Sequence, residues 1–569
     1  MPDKRTILAI VICGVILLVW AKFFSPPTPP APATPPQQAA SQQNPPPAAG
    51  DRPTDPGPAG GAAPQDAPGT PPAANTFPER ETTIQTASEV FEFSNRGASL
   101  RHARLIEPKY LPKGADPATA RGIDLVRGDD PKLAPLRISF PDSSFATPPD
   151  AAWQLVENAQ PPPAGVQQIV YRAETPSVRV EKRFLFDASR YRIHLDVTVE
   201  NRSAAPLDHH HLAIALSGHQ DPEAKGGFFS GSSGNTASVL CRVDDKTTRE
   251  PVDKLEKEAL HKVGAVSWVG TDEKFFLTAV VPYPETPARE RTCSGNFVGS
   301  GNGTALLSFA ERPLGPGERT SYSFAVFVGP KVVADLDDVR PAGVDVKLTE
   351  AVDVSLAVIS RPMLWLLKFF HGFVKNWGVA IILLTVFIRL LTFYPTQKSL
   401  LSAKKMQRLG PKLAVIRKKY ENDKQRQSTE TMNLYKTHGV SPFGGCLPSL
   451  IQMPIWIALY STLNYAVELY RSPFILHIKD LTAKDPYYVT PLLMGGVMFI
   501  QMKMSPTSPD NQQQAMMAMM MPIMFTMFSL VLPAGLAVYM LTSYLIGILQ
   551  QLWINHLDRK QNGPVLAKA

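Results

Sequence analysis

Acidic residues are missing from this chain where a membrane cation would need them. The apolar runs Thr6–Phe24, Leu447–Val467, Tyr487–Met502, Ala515–Leu532 and Gly535–Ile554 contain no Asp or Glu, yet a sixth run, Trp377–Tyr394, carries Arg389. A guanidinium inside a bilayer costs about 2.5–3.5 kcal/mol on insertion scales and ordinarily faces a carboxylate on a neighbouring span. The missing acids exclude that partner and leave hydration, snorkelling to the near surface, or a counter-charge supplied by another molecule. Enzyme signatures are absent as well: no HExxH, GxSxG, phosphate loop or dinucleotide fingerprint occurs, and no paired-carboxylate site can be picked out. No catalytic residue, cofactor or metal is therefore expected. Cysteine is scarce: of four, Cys13 and Cys446 lie at or in apolar runs, while Cys241 and Cys293 share the oxidising side and can pair or stay apart.

What is present is a polytopic membrane protein. The run around Arg389 is long enough, at about 1.5 Å per residue, to cross a hydrocarbon core of about 30 Å. Six apolar runs stand beside one long polar segment in 569 residues. Net charge is +8, and residues 395–440 hold eleven Lys and Arg against three Asp and Glu, so the excess sits in one loop. The positive-inside rule makes that loop cytoplasmic, together with Lys4 and Arg5 before the first span and Arg559 and Lys560 after the last. Both termini are then cytoplasmic, and Ser25 to about Ser360 lies outside. The first span reads as an uncleaved anchor, because its apolar run is long for a signal peptide.

Six regions follow: an anchor at 1–24, a Pro/Ala/Gln-rich linker at 25–82, a β-sandwich at 83–331, a connecting amphipathic helix at 332–376, a five-span core at 377–554, and a short basic tail at 555–569. The β assignment rests on alternation. In YRIHLDVTVEN, Tyr191, Ile193, Leu195, Val197 and Val199 fall on one face, and Tyr322, Phe324, Val326 and Val328 repeat the pattern. His209, His210 and His211 are consecutive, so in an extended chain they point to alternate faces and cannot converge on a metal. They read as a solvated or partly packed run. From Met363 to Trp377, apolar residues recur at helical spacing opposite Lys368, His371 and Lys375, which fits either an interfacial helix or an extension of the next span.

The cytoplasmic segment 396–438 reads as two helices with a turn near Glu421–Asp423, the first bent at Gly410-Pro411. Lys404, Lys405, Arg408, Arg417, Lys418 and Lys419 suit anionic lipids, ribosomal RNA or an acidic protein, and the same charges would enforce topology unaided. No DNA partner is expected. In the spans, Thr385 and Arg389 share a helix face at i and i+4. Gln452, Gln501 and Ser543 add polar groups that either line a groove or bond neighbouring helices. Seven methionines between Met516 and Met527 crowd the fifth span, as packing or as an adaptable apolar surface.

Long ordered segments now carry a resemblance: NWGVAIILLTVFIRLLTFYPTQKSLLSAKKMQ, SPFGGCLPSLIQMPIWIALY, DPYYVTPLLMG and LPAGLAVYMLTSYLIGILQQ. The chain resembles YidC-type membrane protein insertases of the Gram-negative kind. That resemblance implies an inner-membrane protein with a periplasmic β-sandwich and a five-helix core. The core would hold a hydrophilic groove open to cytoplasm and lipid but closed outside. Arg389 matches the family's groove arginine and Thr385 a neighbouring threonine. Where the family often has two tyrosines this chain has Tyr539-Met540, which leaves Tyr539 the weaker candidate for substrate contact. Implied partners are nascent membrane proteins, the ribosome, the signal-recognition pathway and the Sec translocon. Two other classes compete: a small-solute anion transporter or channel using Arg389, and a tethered sugar-active enzyme.

Overall fold

Every second side chain of β7 (Val178–Phe186) and β8 (Arg192–Asn201) is buried, the period of a strand with one face on a core. The computed structural model describes residues 77–562, apart from 112–121, 127, 132, 146–150, 220–236, 285–289, 311, 353–355, 441–446 and 505–511. The expected anchor and nearly all of the expected linker lie outside the described residues, as does the end of the basic tail.

Among the described residues, three antiparallel sheets precede the helical part. A small one runs β1 (Glu81–Gln85), β2 (Glu89–Ser94), β3 (Ser99–Leu105). A nine-stranded sheet runs β11 (Lys246–Pro251), β10 (Ser238–Val243), β13 (Val266–Asp272), β14 (Phe276–Pro282), β17 (Arg319–Pro330), β8, β7, β6 (Gln167–Glu174), β5 (Gln154–Leu155). A five-stranded sheet runs β12 (Leu260–Gly264), β15 (Arg291–Phe297), β16 (Asn302–Phe309), β9 (Ala213–His219), β4 (Arg137–Ser139).

Their facing side chains form one core that includes Ile193, Leu195, Val197 and Val199 of β8 and Tyr322, Phe324, Val326 and Val328 of β17. Tyr191 departs from its expected face. It takes a left-handed backbone (φ 59°) just before β8 and joins a second cluster, with Phe327 and Trp268, on the far side of the large sheet. Cys241 of β10 and Cys293 of β15 are fully buried and form a disulfide between the two large sheets. The histidine run diverges: His209 is exposed, His210 buried and His211 intermediate.

Two short helices, α1 (Val252–Leu255) and α2 (Val333–Asp337), precede the helical part. There α3 (Ala357–Val374) and α4 (Trp377–Leu391) are separate helices, not one extended span. Lys375 ends α3 in a left-handed conformation, and the Asn376 side chain caps α4 by accepting from the Val379 amide at 3.1 Å. Met363 and Leu367 are buried inward from α3, while Trp365, Phe369 and Phe373 form an exposed aromatic ridge four residues apart.

Helix α5 (Phe393–Arg408) leaves α4 at a bend of 61°. Pro395 lacks the amide that would have bonded Leu391, so the ladder is interrupted where the bend occurs. Beyond it lie α6 (Gly410–Lys419) and α7 (Lys424–Thr437), the latter capped by Asp423 accepting from the Arg426 amide. Segment 396–438 thus contains three helices where two were expected: Gly410-Pro411 starts a new helix instead of bending the first.

Four further α-helices follow among the described residues: α8 (Leu447–Tyr465), α9 (Val489–Met504), α10 (Gln512–Ser529) and α11 (Ala534–Asn562). Among the described residues, Ala534–Leu557 is long and apolar enough to cross a membrane by itself, and α4 with α5 qualifies as a bent pair. Leu367, Ile381, Leu384, Leu459, Leu463, Leu536 and Tyr539 sit in the cluster that holds α3, α4, α8 and α11 together.

Candidate functional site

The C-terminal helix carries a regular stripe. Tyr539, Ser543, Ile546, Gln550 and Trp553 follow one another at three- and four-residue steps, so they share one face of α11. That face meets α4, whose last two turns present Thr385 and Arg389. The Arg389 Nε donates to the Ser543 hydroxyl at 3.3 Å. Tyr539, one turn earlier on α11, has its hydroxyl beside Ser543 and accepts a hydrogen bond from the Gln452 amide of α8. Four of the six expected groove residues therefore join in one polar chain, Arg389–Ser543–Tyr539–Gln452, linking three helices.

Thr385 and Gln501 stand apart from that chain. Thr385 is fully buried and donates to the Ile381 carbonyl of its own helix at 2.7 Å. It therefore packs beside the arginine without facing open space. Gln501 of α9 lies against Gly547 of α11, where a Cβ would meet its amide nitrogen at 2.5 Å. Gly547 is one turn beyond Ser543, so Gln501 supports the same helix from another side.

An open cleft of about 370 Å³ begins at Arg389 and is lined by Val386, Leu390, Phe393, Gln550 and Trp553 among others. The α4–α5 bend forms one wall and the α11 stripe the other. Gln550 reaches the Phe393 carbonyl at 3.5 Å, and the Phe393 and Trp553 rings lie 5.6 Å apart. Gln550, Phe393 and Trp553 were not singled out from the sequence. The stepped spacing from Tyr539 to Trp553 was the available signal. Among the described residues no carboxylate pairs with Arg389; its polar neighbours are Ser543 and the phenols of Tyr539 and Tyr544.

The cations of α5 and α6 occupy a different surface. Lys405 and Arg408 are exposed and Lys404 is half-buried on α5. Arg417, Lys418 and Lys419 are exposed in the last turn of α6, where the helix dipole favours positive charge.

Outside the spans, three groups join the β-domain to the α8–α9 connection. Lys109 Nζ donates to the Val467 carbonyl at 2.7 Å, and Arg471 donates to the carbonyls of Tyr110 and Leu111 at 3.0 and 3.2 Å. The Tyr470 ring packs on Phe275 and Phe276, with centroids 5.0 and 5.7 Å away. Burial lowers the Lys109 ammonium pKa below its ordinary value, opposed by the charges of Glu468 and Glu107.

Fold and cleft together define a protein with a large antiparallel β-domain and a helical part, in which one helix and one bent helix pair are long and apolar enough to cross a membrane. Comparison with known proteins narrows the class. The family model for the 60Kd inner membrane protein matches residues 369–561, and that for the YidC periplasmic domain matches residues 81–366. A membrane protein insertase YidC from Syntrophus aciditrophicus is 35% identical over 97% of this chain and 99% of its own length. One from Geobacter metallireducens is 33% identical over 97% and 98%. A solved YidC insertase with its first transmembrane domain resolved is 16% identical, with a TM-score of 0.37 over 84% of this chain and 93% of that one. The chain belongs to the YidC family of membrane protein insertases and is accordingly an inner-membrane protein.

Proposed function

We propose that this chain moves apolar segments of newly made proteins from the cytoplasm into the inner membrane, and that the cleft at Arg389 is where their polar flanks enter. The observation that carries the reading is a cation lining an open cleft and hydrogen-bonded to the Ser543 hydroxyl, with no carboxylate partner among the described residues. Water around Arg389 shortens the apolar distance a polar flank must cross, and an acidic residue in that flank supplies the missing counter-charge. The apolar part then partitions sideways into lipid. Each Å² removed from water contributes about 25 cal/mol, which drives the step without nucleotide hydrolysis.

In this reading the basic helices α5 and α6 face the cytoplasm and receive substrates, helped by anionic lipids, the ribosome, the signal-recognition pathway and the Sec translocon. The β-domain is periplasmic, and α3 lies in the outer interface, its aromatic ridge in lipid. The opposed readings, an anion transporter or a tethered sugar-active enzyme, predict no insertion activity.

Purified protein in liposomes, offered a short single-span substrate, tests this directly. Protease-protected insertion should require the protein, fall at least about tenfold in Arg389→Ala, and survive in large part in Arg389→Lys, since loss of a buried charge contact of this kind removes about 1.5–3 kcal/mol. Insertion no faster than in empty liposomes would discard the insertase reading. Equal rates for all three proteins would return Arg389 to a snorkelling surface cation.

A further inference from the structure

The polar chain behind Arg389 is one-sided. The guanidinium spends its Nε on Ser543, and among the described residues neither terminal nitrogen has a hydrogen-bond partner. Ser543 itself cannot drift: it is 4% exposed, and the neighbouring Tyr539 is 1% exposed and tied to Gln452 on α8. A guanidinium is a rigid planar fork, so fixing Nε fixes the direction of both terminal amino groups. With Nε turned toward α11, those groups are left for the cleft that Arg389 lines. Two parallel N–H donors in one plane match the two oxygens of a carboxylate, whereas a carboxamide offers one acceptor and one clashing donor.

We infer that Ser543 is a positioning residue that locks the Arg389 fork toward the cleft, and that this lock makes the site selective for segments whose polar flank carries a carboxylate. The inference rests on the insertase reading and deepens it. It assigns Ser543 and, behind it, Tyr539 and Gln452 a role in choosing among substrates beyond simple helix contact. A loose arginine would still attract negative charge, but it would favour acid over amide less, because bidentate geometry would be lost.

The test compares two single-span substrates that differ only by Asp or Asn in the flank, inserted into liposomes by wild type, Ser543→Ala and Ser543→Thr. The readout is the ratio of the two insertion rates, which a general loss of folding or activity does not move. Wild type should favour the Asp substrate. Ser543→Ala should lower that ratio about tenfold, the low end of the loss expected for one hydrogen bond to a charged group. Ser543→Thr, which keeps the hydroxyl, should restore it. In an Arg389→Ala background, Ser543→Ala should change the ratio no further. A ratio unchanged by Ser543→Ala, or lowered equally with Arg389 absent, overturns the positioning role while leaving the insertase reading intact. No protein-dependent insertion of either substrate overturns both.

Discussion

The β-domain and the helical core treat buried charge in opposite ways. In the β-domain, Lys182 is wholly inside the protein, and its ammonium donates to the carbonyls of Gly97, Ala98 and Leu136, the first at 3.1 Å and the last at 2.6 Å. Asp272, equally buried, pairs with Lys331 at 2.8 Å and with Arg249. Both are answered within the domain, and the Glu89 carboxyl, fully buried with no hydrogen-bond partner among the described residues, is pushed by burial well above the usual carboxylate range, toward its uncharged form. In the helical core Arg389 is only partly buried and answered by a hydroxyl, and apolar side chains such as Leu390, Leu391, Met520 and Met524 are exposed over large areas. A fold that pairs its buried charges or pushes them toward the uncharged form leaves little charge for a ligand. A fold that leaves a cation half-answered beside an open cleft keeps charge for one. The prediction from the comparison is a separation of effects: changes in the β-domain should move stability, and changes around Arg389 should move insertion.

The disulfide gives the largest expected effect on the stability side. Cys241 and Cys293 close a loop of 52 residues between two sheets. Cross-linking a loop of that size removes about 4 kcal/mol of chain entropy from the unfolded ensemble in the loop-closure account. The Cys241→Ala/Cys293→Ala double variant should therefore lower the β-domain's denaturant midpoint strongly while leaving proteoliposome insertion at the wild-type rate per folded molecule. A matching loss in insertion would show that the two regions are not separable.

How far these features could be read beforehand depended on whether their cause was local. The alternation of β8 and β17 is local, and the core contains the residues it marked, except Tyr191, whose left-handed backbone no periodicity announces. Arg389 was legible because a single cation in an apolar run needs no partner to be noticed. The Cys241–Cys293 pairing was open, because it depends on which strands of two sheets come to face each other. The same holds for Gln452, whose partner lies 87 residues away, and for Gln550, whose partner is 157 residues away. The break of 396–438 into more pieces than expected follows from Gly410-Pro411, because a proline in the first helical turn starts a new helix where one in mid-helix would bend it. Contacts such as Lys109 to Val467, 358 residues apart, leave no trace in either segment.

His210 offers a smaller and pH-dependent way to break the contrast. Its ring is fully buried beside Phe140, Phe145 and Tyr322, and burial pushes its pKa down to about 4, aided by the positive charges of Arg312 and His211. An unfolded histidine titrates near about 6.5, so between those values the unfolded chain binds the proton and the folded one does not. The stability this provides is present above pH of about 6.5 and is lost as pH falls toward about 4, by on the order of 2–3 kcal/mol. Thermal melting at pH 7 and pH 4.5 should show the drop, and His210→Phe should shrink it. An unchanged drop in that variant would assign acid lability to other groups.

The weakest expected effect lies at the seam joining the two regions, and it asks whether their separation is complete. Lys109 reaches out of the β-domain to the Val467 carbonyl, while Val467 itself is fully buried in a cluster of β-domain side chains. In Lys109→Met the methionine keeps most of the aliphatic bulk but removes the donor, leaving the Tyr470 amide to answer the Val467 carbonyl by itself, at a cost of about 1 kcal/mol. Arg471 and the Tyr470 ring still hold the connection, so the global unfolding midpoint should barely move. Hydrogen exchange is the sensitive probe: the amides of Tyr470 and Ser472, which bond back to Val467 and Leu469, should exchange about fivefold faster as the connection opens locally. If insertion slows in step with that opening, the β-domain braces the helical core. If exchange rises and insertion stays constant, the seam only fixes the orientation of a domain whose stability is its own affair.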